Sequence, residues 1–208
     1  TGLLMSGFAM QHARTSRPAS GAEHQFSHLW DMQRPADQPN PPSHGFQVGI
    51  GTLASAALYE QLLLRDLADL DIELLTANWP ELSTVEQQIL RRFEHSAIRE
   101  KAMEETRAKH VSSKQLRHQL ARVCVVWPQL SRRLASNLTA RSEILDRLTA
   151  AGCSTEPQQI GITPEQLRRS HFLAYHIRRR FTILDLLVRT DLLQSILNVS
   201  EQDESEAN

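Results

Sequence analysis

Apolar residues recur along this chain at the three- and four-residue spacing of helices. Leu3, Leu4, Met5, Phe8 and Ala9 predict a helix over 1–15. It opens without a capping residue, which suggests an element already under way and a preceding domain that the chain lacks. Ser16-Arg17-Pro18-Ala19 breaks it, because a residue before proline avoids the helical region. Ser20 and Glu23 match the S-x-x-E capping box and predict a new helix with Ser20 as its N-cap. Phe26, Leu29, Trp30 and Met32 are its packing residues. A loop with four prolines follows between Gln33 and Pro42. His44 to about Leu64 is the most apolar stretch, with large side chains nearly all round, and predicts a buried central helix. Gly49 and Gly51 each cost it about 1 kcal/mol against alanine, which a close neighbouring backbone or ligand would explain.

Start and stop signals divide the rest. Asp66 to Pro80 predicts a short helix or turn. Ser83-Thr84-Val85-Glu86 and Ser112-Ser113-Lys114-Gln115 are two more capping boxes. Trp127-Pro128 predicts a helix with proline in its first turn, closed at Gly152. Thr163-Pro164-Glu165-Gln166 opens a long helix expected to reach Asp185 or Val188. A short helix over 192–199 follows. Residues 200–208 are acidic, lack large apolar side chains and read as a disordered tail. Trp-Pro-x-Leu-Ser occurs at Trp79 and again at Trp127, but little else aligns, so these are two helix starts and not a repeat. The expectation is an all-α, multi-helix bundle: a single domain over 1–199.

Composition narrows the function class. The 208 residues carry a net charge of −1, which gives no global pull toward nucleic acid or membrane. No apolar run approaches the roughly 20 residues that a membrane helix needs. Cys124 and Cys153 follow no metal or redox spacing and read as reduced thiols, which suits an intracellular, cytoplasmic protein.

The chemistry concentrates in the histidines. His24 and His28 are four apart, on one face of a helix, and His44 returns at the start of the next. Two neutral imidazoles with one further ligand make a divalent-metal site with an open position. A third ligand is not visible in this chain. Spacing alone leaves metal ligands and ordinary capping or exposed histidines both open.

Other motifs are weaker. Gly49-Ile50-Gly51-Thr52-Leu53-Ala54 matches G-x-G-x-x-A, with Asp69 about 20 residues on. A prolyl loop precedes it where the dinucleotide fingerprint needs a strand, so a helix contact is the better reading. Arg17 and the run Arg178-Arg179-Arg180 could bind phosphate. A helical arginine run more commonly faces solvent with salt bridges, so Arg17, beside the histidines, is the substrate-binding candidate. His95, His110, His118, His171 and His176 join no constellation, and the last two read as surface residues. Ser20 and Ser27 lack partners for nucleophilic catalysis.

The segment Ser16 to His28, followed by His44-Gly45-Phe46-Gln47-Val48-Gly49-Ile50-Gly51-Thr52, resembles the sn-glycerol-1-phosphate dehydrogenases. These belong to the iron-type alcohol and glycerol dehydrogenases, whose plan 3-dehydroquinate synthase shares. The pattern "SRPASG-x-EH-xx-SH … HG-xx-VG-x-GT" is long and specific. Its one departure is Ala22, where the family commonly has serine before the glutamate. The resemblance implies the helical C-terminal domain of such an enzyme. It implies His24 and His44 as ligands to zinc, iron or nickel, and His28 as a catalytic residue facing the substrate. It implies reversible reduction of dihydroxyacetone phosphate to glycerol 1-phosphate, a step of phospholipid metabolism, with NAD or NADP. The cofactor and an aspartate ligand would come from an N-terminal half absent here, so the chain alone is expected to be inactive. Two rivals are a lyase of the 3-dehydroquinate synthase type and a non-catalytic helical interaction module. A homo-oligomer is left open.

Overall fold

A computed structural model of the chain describes residues 2–16, 19–35, 37, 39–94 and 98–198. Among these residues all regular structure is helical. In chain order the helices are α1 (Gly2–Ala13), α2 (Ala22–Gln33), α3 (His44–Leu63), α4 (Ile72–Ala77), α5 (Leu82–Arg92) and α6 (Arg99–Lys109). Then come α7 (Ser113–Asn137), α8 (Arg141–Ala150), α9 (Pro164–Leu173), α10 (Ile183–Arg189) and α11 (Leu193–Leu197). Single 3-10 turns occupy Pro157–Ile160 and Ala174–Ile177. None of the described helices is long and apolar enough to cross a membrane.

The organising contact is α2 against α3. A Cβ placed on Gly51 would lie 2.6 Å from the Glu23 carbonyl oxygen and 3.1 Å from its Cα. Only hydrogen fits there, which accounts for the glycine. Gly49 differs: its added Cβ would meet Ser154 and Leu148 at ordinary contact distances of 3.7–3.8 Å. Behind this crossing Phe26 and Leu29 of α2 are fully buried, with Ile50, Leu58 and Leu62 of α3. The same core takes in Ile89, Phe93, Ala102, Ile177, Leu184 and Leu187 from the later helices. Trp30 closes it at one side by donating to Ser170 Oγ at 2.7 Å. α3 is central but not buried all round, since Phe46 on it and Leu64 just past its end are exposed.

Several expected boundaries move, each for a local reason. Ser20 is not the cap of α2: the N-cap is Gly21, and the Glu23 carboxylate takes the Gly21 N–H at 2.6 Å. The glutamate acts one residue late, on the Gly21 N–H in place of that of Ser20. The box at Ser83 does not form either, because α5 begins two residues earlier, after Glu81. Ser112–Gln115 and Thr163–Gln166 are complete capping boxes as expected. Pro128 opens no helix but lies inside α7, where its ring costs up to ~3 kcal/mol. The neighbouring Trp127, 2% exposed, holds that stretch against the core. Gly152 does close a helix, at φ +67°, but that helix is the separate α8. α6 carries no readable start signal and was not expected. The long helix after Thr163 breaks at Leu173; a 3-10 turn and an extended stretch at 178–182 precede α10. His171 and His176 are buried, not superficial. His176 shares a hydrogen bond with Thr106 Oγ1 at 3.0 Å, and burial holds its pKa well below the usual imidazole value. The expected tail over 200–208 lies outside the described residues.

The break has an electrostatic cause. Lys109, at the end of α6, donates to the Tyr175 carbonyl and to Asp185 Oδ1 at 3.2 Å. Burial pulls the Lys109 ammonium down to about 8, against the attraction of Asp185. Asp185 also receives the Thr182 N–H at 3.0 Å and so caps α10. Glu105, one turn before Lys109, accepts from the Arg179 backbone N–H at 2.7 Å and its Nε at 2.8 Å. α6 thus pins both ends of the 178–182 stretch.

Two stability predictions follow from these contacts. Gly51→Ala forces α2 and α3 apart and should destabilise by about 1–3 kcal/mol in urea denaturation, whereas Gly49→Ala should be neutral or stabilising by up to ~1 kcal/mol. The Glu105 carboxyl is held down to about 2, first by its hydrogen bond from Arg179. A carboxyl depressed on folding stabilises above its unfolded value, near 4.5, and the benefit fades as pH falls toward 2. Glu105→Gln should therefore cost about 1–2 kcal/mol at pH 7, allowing for the half-exposed Arg179, and little at pH 2.5.

Candidate functional site

Three imidazoles meet at the open end of the α2–α3 crossing. His24 and His28 stand one turn apart on α2, and His44 is the first residue of α3. Ser43 fixes that start by accepting the Phe46 N–H at 3.2 Å. The ring centroids are 5.4 Å apart for His24 and His44, 5.9 Å for His28 and His44, and 6.2 Å for His24 and His28. Two imidazoles sharing one tetrahedral ion through nitrogens at ~2.0–2.1 Å place their centroids about 5 Å apart. The His24–His44 pair is nearest that spacing; His28 stands farther off.

Hydrogen bonds decide which nitrogen each ring offers. His24 Nδ1 donates to the Glu23 carboxylate at 2.8 Å. The Ser27 hydroxyl donates to Gln47 Oε1 at 3.1 Å, so at 2.9 Å from His44 Nδ1 its oxygen can only accept. Gln47 in turn donates from Nε2 to Asp31 Oδ1 at 2.9 Å, and Asp31 is paired with Arg34 at 3.0 Å. Ser27 and Gln47 are 0% and 1% exposed, so this chain of donors has no water to rearrange it. Both His24 and His44 therefore carry the proton on Nδ1 and keep Nε2 for a ligand. Fixing one ring nitrogen by a carboxylate or hydroxyl is the usual support for a metal-bound histidine.

His28 is set apart electrically as well. Its pKa is lowered, first by burial, then by the positive charge of Arg178, with smaller contributions from the two other rings and an opposing one from Asp31. The ring is neutral at pH 7 and has one donor and one acceptor nitrogen.

The structure thus gathers His24, His28 and His44, as expected from sequence. Arg17 lies outside the described residues, as does His95. Among the described residues no group of three or more His, Cys, Asp or Glu side chains is arranged to hold a metal ion. What the chain offers is a pair. The Gly49–Ala54 motif lies wholly within α3, with no strand before it, and does not fit a dinucleotide. Arg179 and Arg180 are engaged elsewhere, with Glu105 and with the Ser20 carbonyl. Glu23, Ser27, Asp31 and Gln47 are parts of the site to which the sequence reading gave no role there, and Arg178 was weighed as a phosphate binder but set behind Arg17. A signal existed for three of them. Ser27 and Asp31 follow His24 by three and seven residues, and Gln47 follows His44 by three, so each shares a helix face with a ring.

Comparison with known proteins finds named relatives of this chain. No family model and no solved structure matches the chain. A glycerol-1-phosphate dehydrogenase (NAD(P)+) of Geobacillus thermodenitrificans is 28% identical over 92% of this chain and 38% of its own length. One from Geobacillus stearothermophilus is 28% identical over 89% of this chain and 36% of its own length. One from Thermococcus sibiricus is 53% identical over a shorter stretch, 27% of this chain. The chain spans less than two fifths of the length of the first two relatives. The chain is similar to glycerol-1-phosphate dehydrogenases over most of its length, matching their C-terminal part.

Proposed function

We propose that this chain is the metal-bearing part of an NAD(P)-dependent sn-glycerol-1-phosphate dehydrogenase. The observation that carries the reading is the pair of Nδ1-anchored rings, His24 and His44, 5.4 Å apart. They would hold a divalent cation, zinc, iron or nickel, through their Nε2 atoms, with a third protein ligand from outside this chain. When bound, that ion supplies Lewis-acid polarisation of the C2 carbonyl of dihydroxyacetone phosphate. The hydride belongs to a nicotinamide bound elsewhere, since nothing in α3 fits one.

The chain's own residues do the rest. Glu23 and Ser27 keep the two rings oriented and more basic by accepting their Nδ1 protons. His28, neutral and beside the pair, hydrogen-bonds the substrate oxygen and relays a proton to it, giving one from one ring nitrogen while the other takes one from solvent, as the carbonyl becomes a hydroxyl. A neutral ring suits that role, because one nitrogen donates while the other accepts and the relay runs in either direction.

Two outcomes check this. In calorimetric titration at pH 7.5 the 208-residue chain should bind zinc weakly and one to one. His24→Ala and His44→Ala should each weaken that binding tenfold or more, and His28→Ala should leave it within about threefold; equal losses at all three would overturn the division of roles. The bare chain should oxidise no glycerol 1-phosphate with NAD or NADP. Joined to the remaining portion of a relative it should do so, with turnover lowered by His28→Ala about 10²-fold or more while metal stays bound.

A further inference from the structure

The stretch 178–182 is extended where its backbone angles define it, at Arg178 (φ −147°, ψ 137°) and Thr182 (φ −137°, ψ −174°). Successive side chains in an extended segment point to opposite sides, so 178, 180 and 182 share one side and 179 the other. The contacts follow that rule. Arg179 turns to α6 and pairs with Glu104 at 2.7 Å and Glu105 at 2.8 Å. Thr182 turns to α2 and donates to Gln25 Oε1 at 2.9 Å. Arg180 turns the same way, to the Ser20 carbonyl and to Ser16 Oγ at 3.0 Å. Arg178 is therefore aimed at the helix that bears His24 and His28. The 3-10 turn that ends at Ile177, one residue before Arg178, packs against that same helix. Unlike its two neighbours, and unlike Arg34, which is tied to Asp31, Arg178 makes no hydrogen bond or ion pair among the described residues.

A half-buried guanidinium with no anion among the described residues, facing the helix that bears two of the imidazoles, is an incomplete ion pair. We infer that Arg178 binds the phosphate of a small phosphomonoester substrate whose oxygen end lies at the His24–His44 gap. The guanidinium fork matches two phosphate oxygens at once. A three-carbon phosphate is short, so its anionic end must be met close to the rings, and Arg178 is a cation on that side with no partner among the described residues. The pins from Glu105 to Arg179 and from Arg180 to Ser20 hold the stretch in place and leave the residue between His28 and those pins free to face the ligand. The inference rests on the reading above for the identity of the substrate and for where its oxygen end lies.

Histidine ring signals in ¹H–¹³C NMR of the 208-residue chain test it, with inorganic phosphate, glycerol 1-phosphate and glycerol as probes at constant pH and ionic strength. Both phosphates should shift the His28 signals saturably, and glycerol should not. Arg178→Gln should weaken phosphate binding tenfold or more, and Arg178→Lys should recover part of the loss. Arg133→Gln, an equal charge change on the exposed face of α7, should have no effect. Equal affinity in the Arg178→Gln and original chains, or no saturable phosphate shift in the original, would overturn the inference. Zinc titration of the same variants keeps the two ideas apart. Phosphate binding that depends on Arg178, with zinc binding indifferent to His24 and His44, would leave this inference standing and remove the metal site; the reverse pattern would do the opposite.

Discussion

The approach of two helix backbones at Gly51 is the constraint on which the site depends. The Glu23 carbonyl occupies the space where a Cβ would be. Everything that makes the histidines a group follows from that approach. His24 is the residue after Glu23, and His44 lies two turns before Gly51 on the same helix. Bringing Glu23 onto Gly51 therefore brings the start of α3 alongside the middle of α2. The Pro-rich loop only has to let the chain return. The fixed geometry comes from the crossing and from Ser43, which sets where α3 begins.

The buried polar residues then turn three nearby rings into two roles. Ser27 and Gln47 lie between the helices with no exposure, and their donor order runs one way, from His44 through Ser27 and Gln47 to Asp31. A fully satisfied polar network of this kind is rigid, because any reversal leaves a buried group unpaired. Glu23 does the same for His24 while also closing the first turn of α2. His28 has no such anchor and feels Arg178 instead. Two anchored rings and one neutral, unanchored ring are what separates a ligand pair from a group that handles protons.

The sequence made the helical architecture and the histidine grouping legible because both rest on short-range rules. Helical spacing, the capping boxes at Ser112 and Thr163, and the i,i+4 pair at His24 and His28 need no knowledge of tertiary contacts. The glycine pair in α3 pointed to a close approach but could not say which glycine makes it; only the position of α2 distinguishes Gly51 from Gly49. What was illegible depended on distant partners. Trp127 carries α7 through Pro128 by packing on residues remote in sequence. Lys109 and Glu105 end one helix and begin another some seventy residues later. The arginine run read as a solvated helical face, since nothing local shows that residues 178–182 are extended and that alternate side chains face different helices. His171 and His176 looked superficial for the same reason: their partners, Phe26 and Thr106, lie far up the chain.

The central claim is that two rings offer the same nitrogen to one ion and the third does not. Long-range ¹H–¹⁵N correlation spectra of the histidine rings, recorded with and without one equivalent of zinc, read that directly. The account predicts protons on Nδ1 of His24 and His44 throughout, zinc-dependent shifts at their Nε2 atoms, and a His28 ring that stays neutral and uncoordinated. Zinc on Nδ1 of either ring, or coordination through His28 in place of His44, would contradict it.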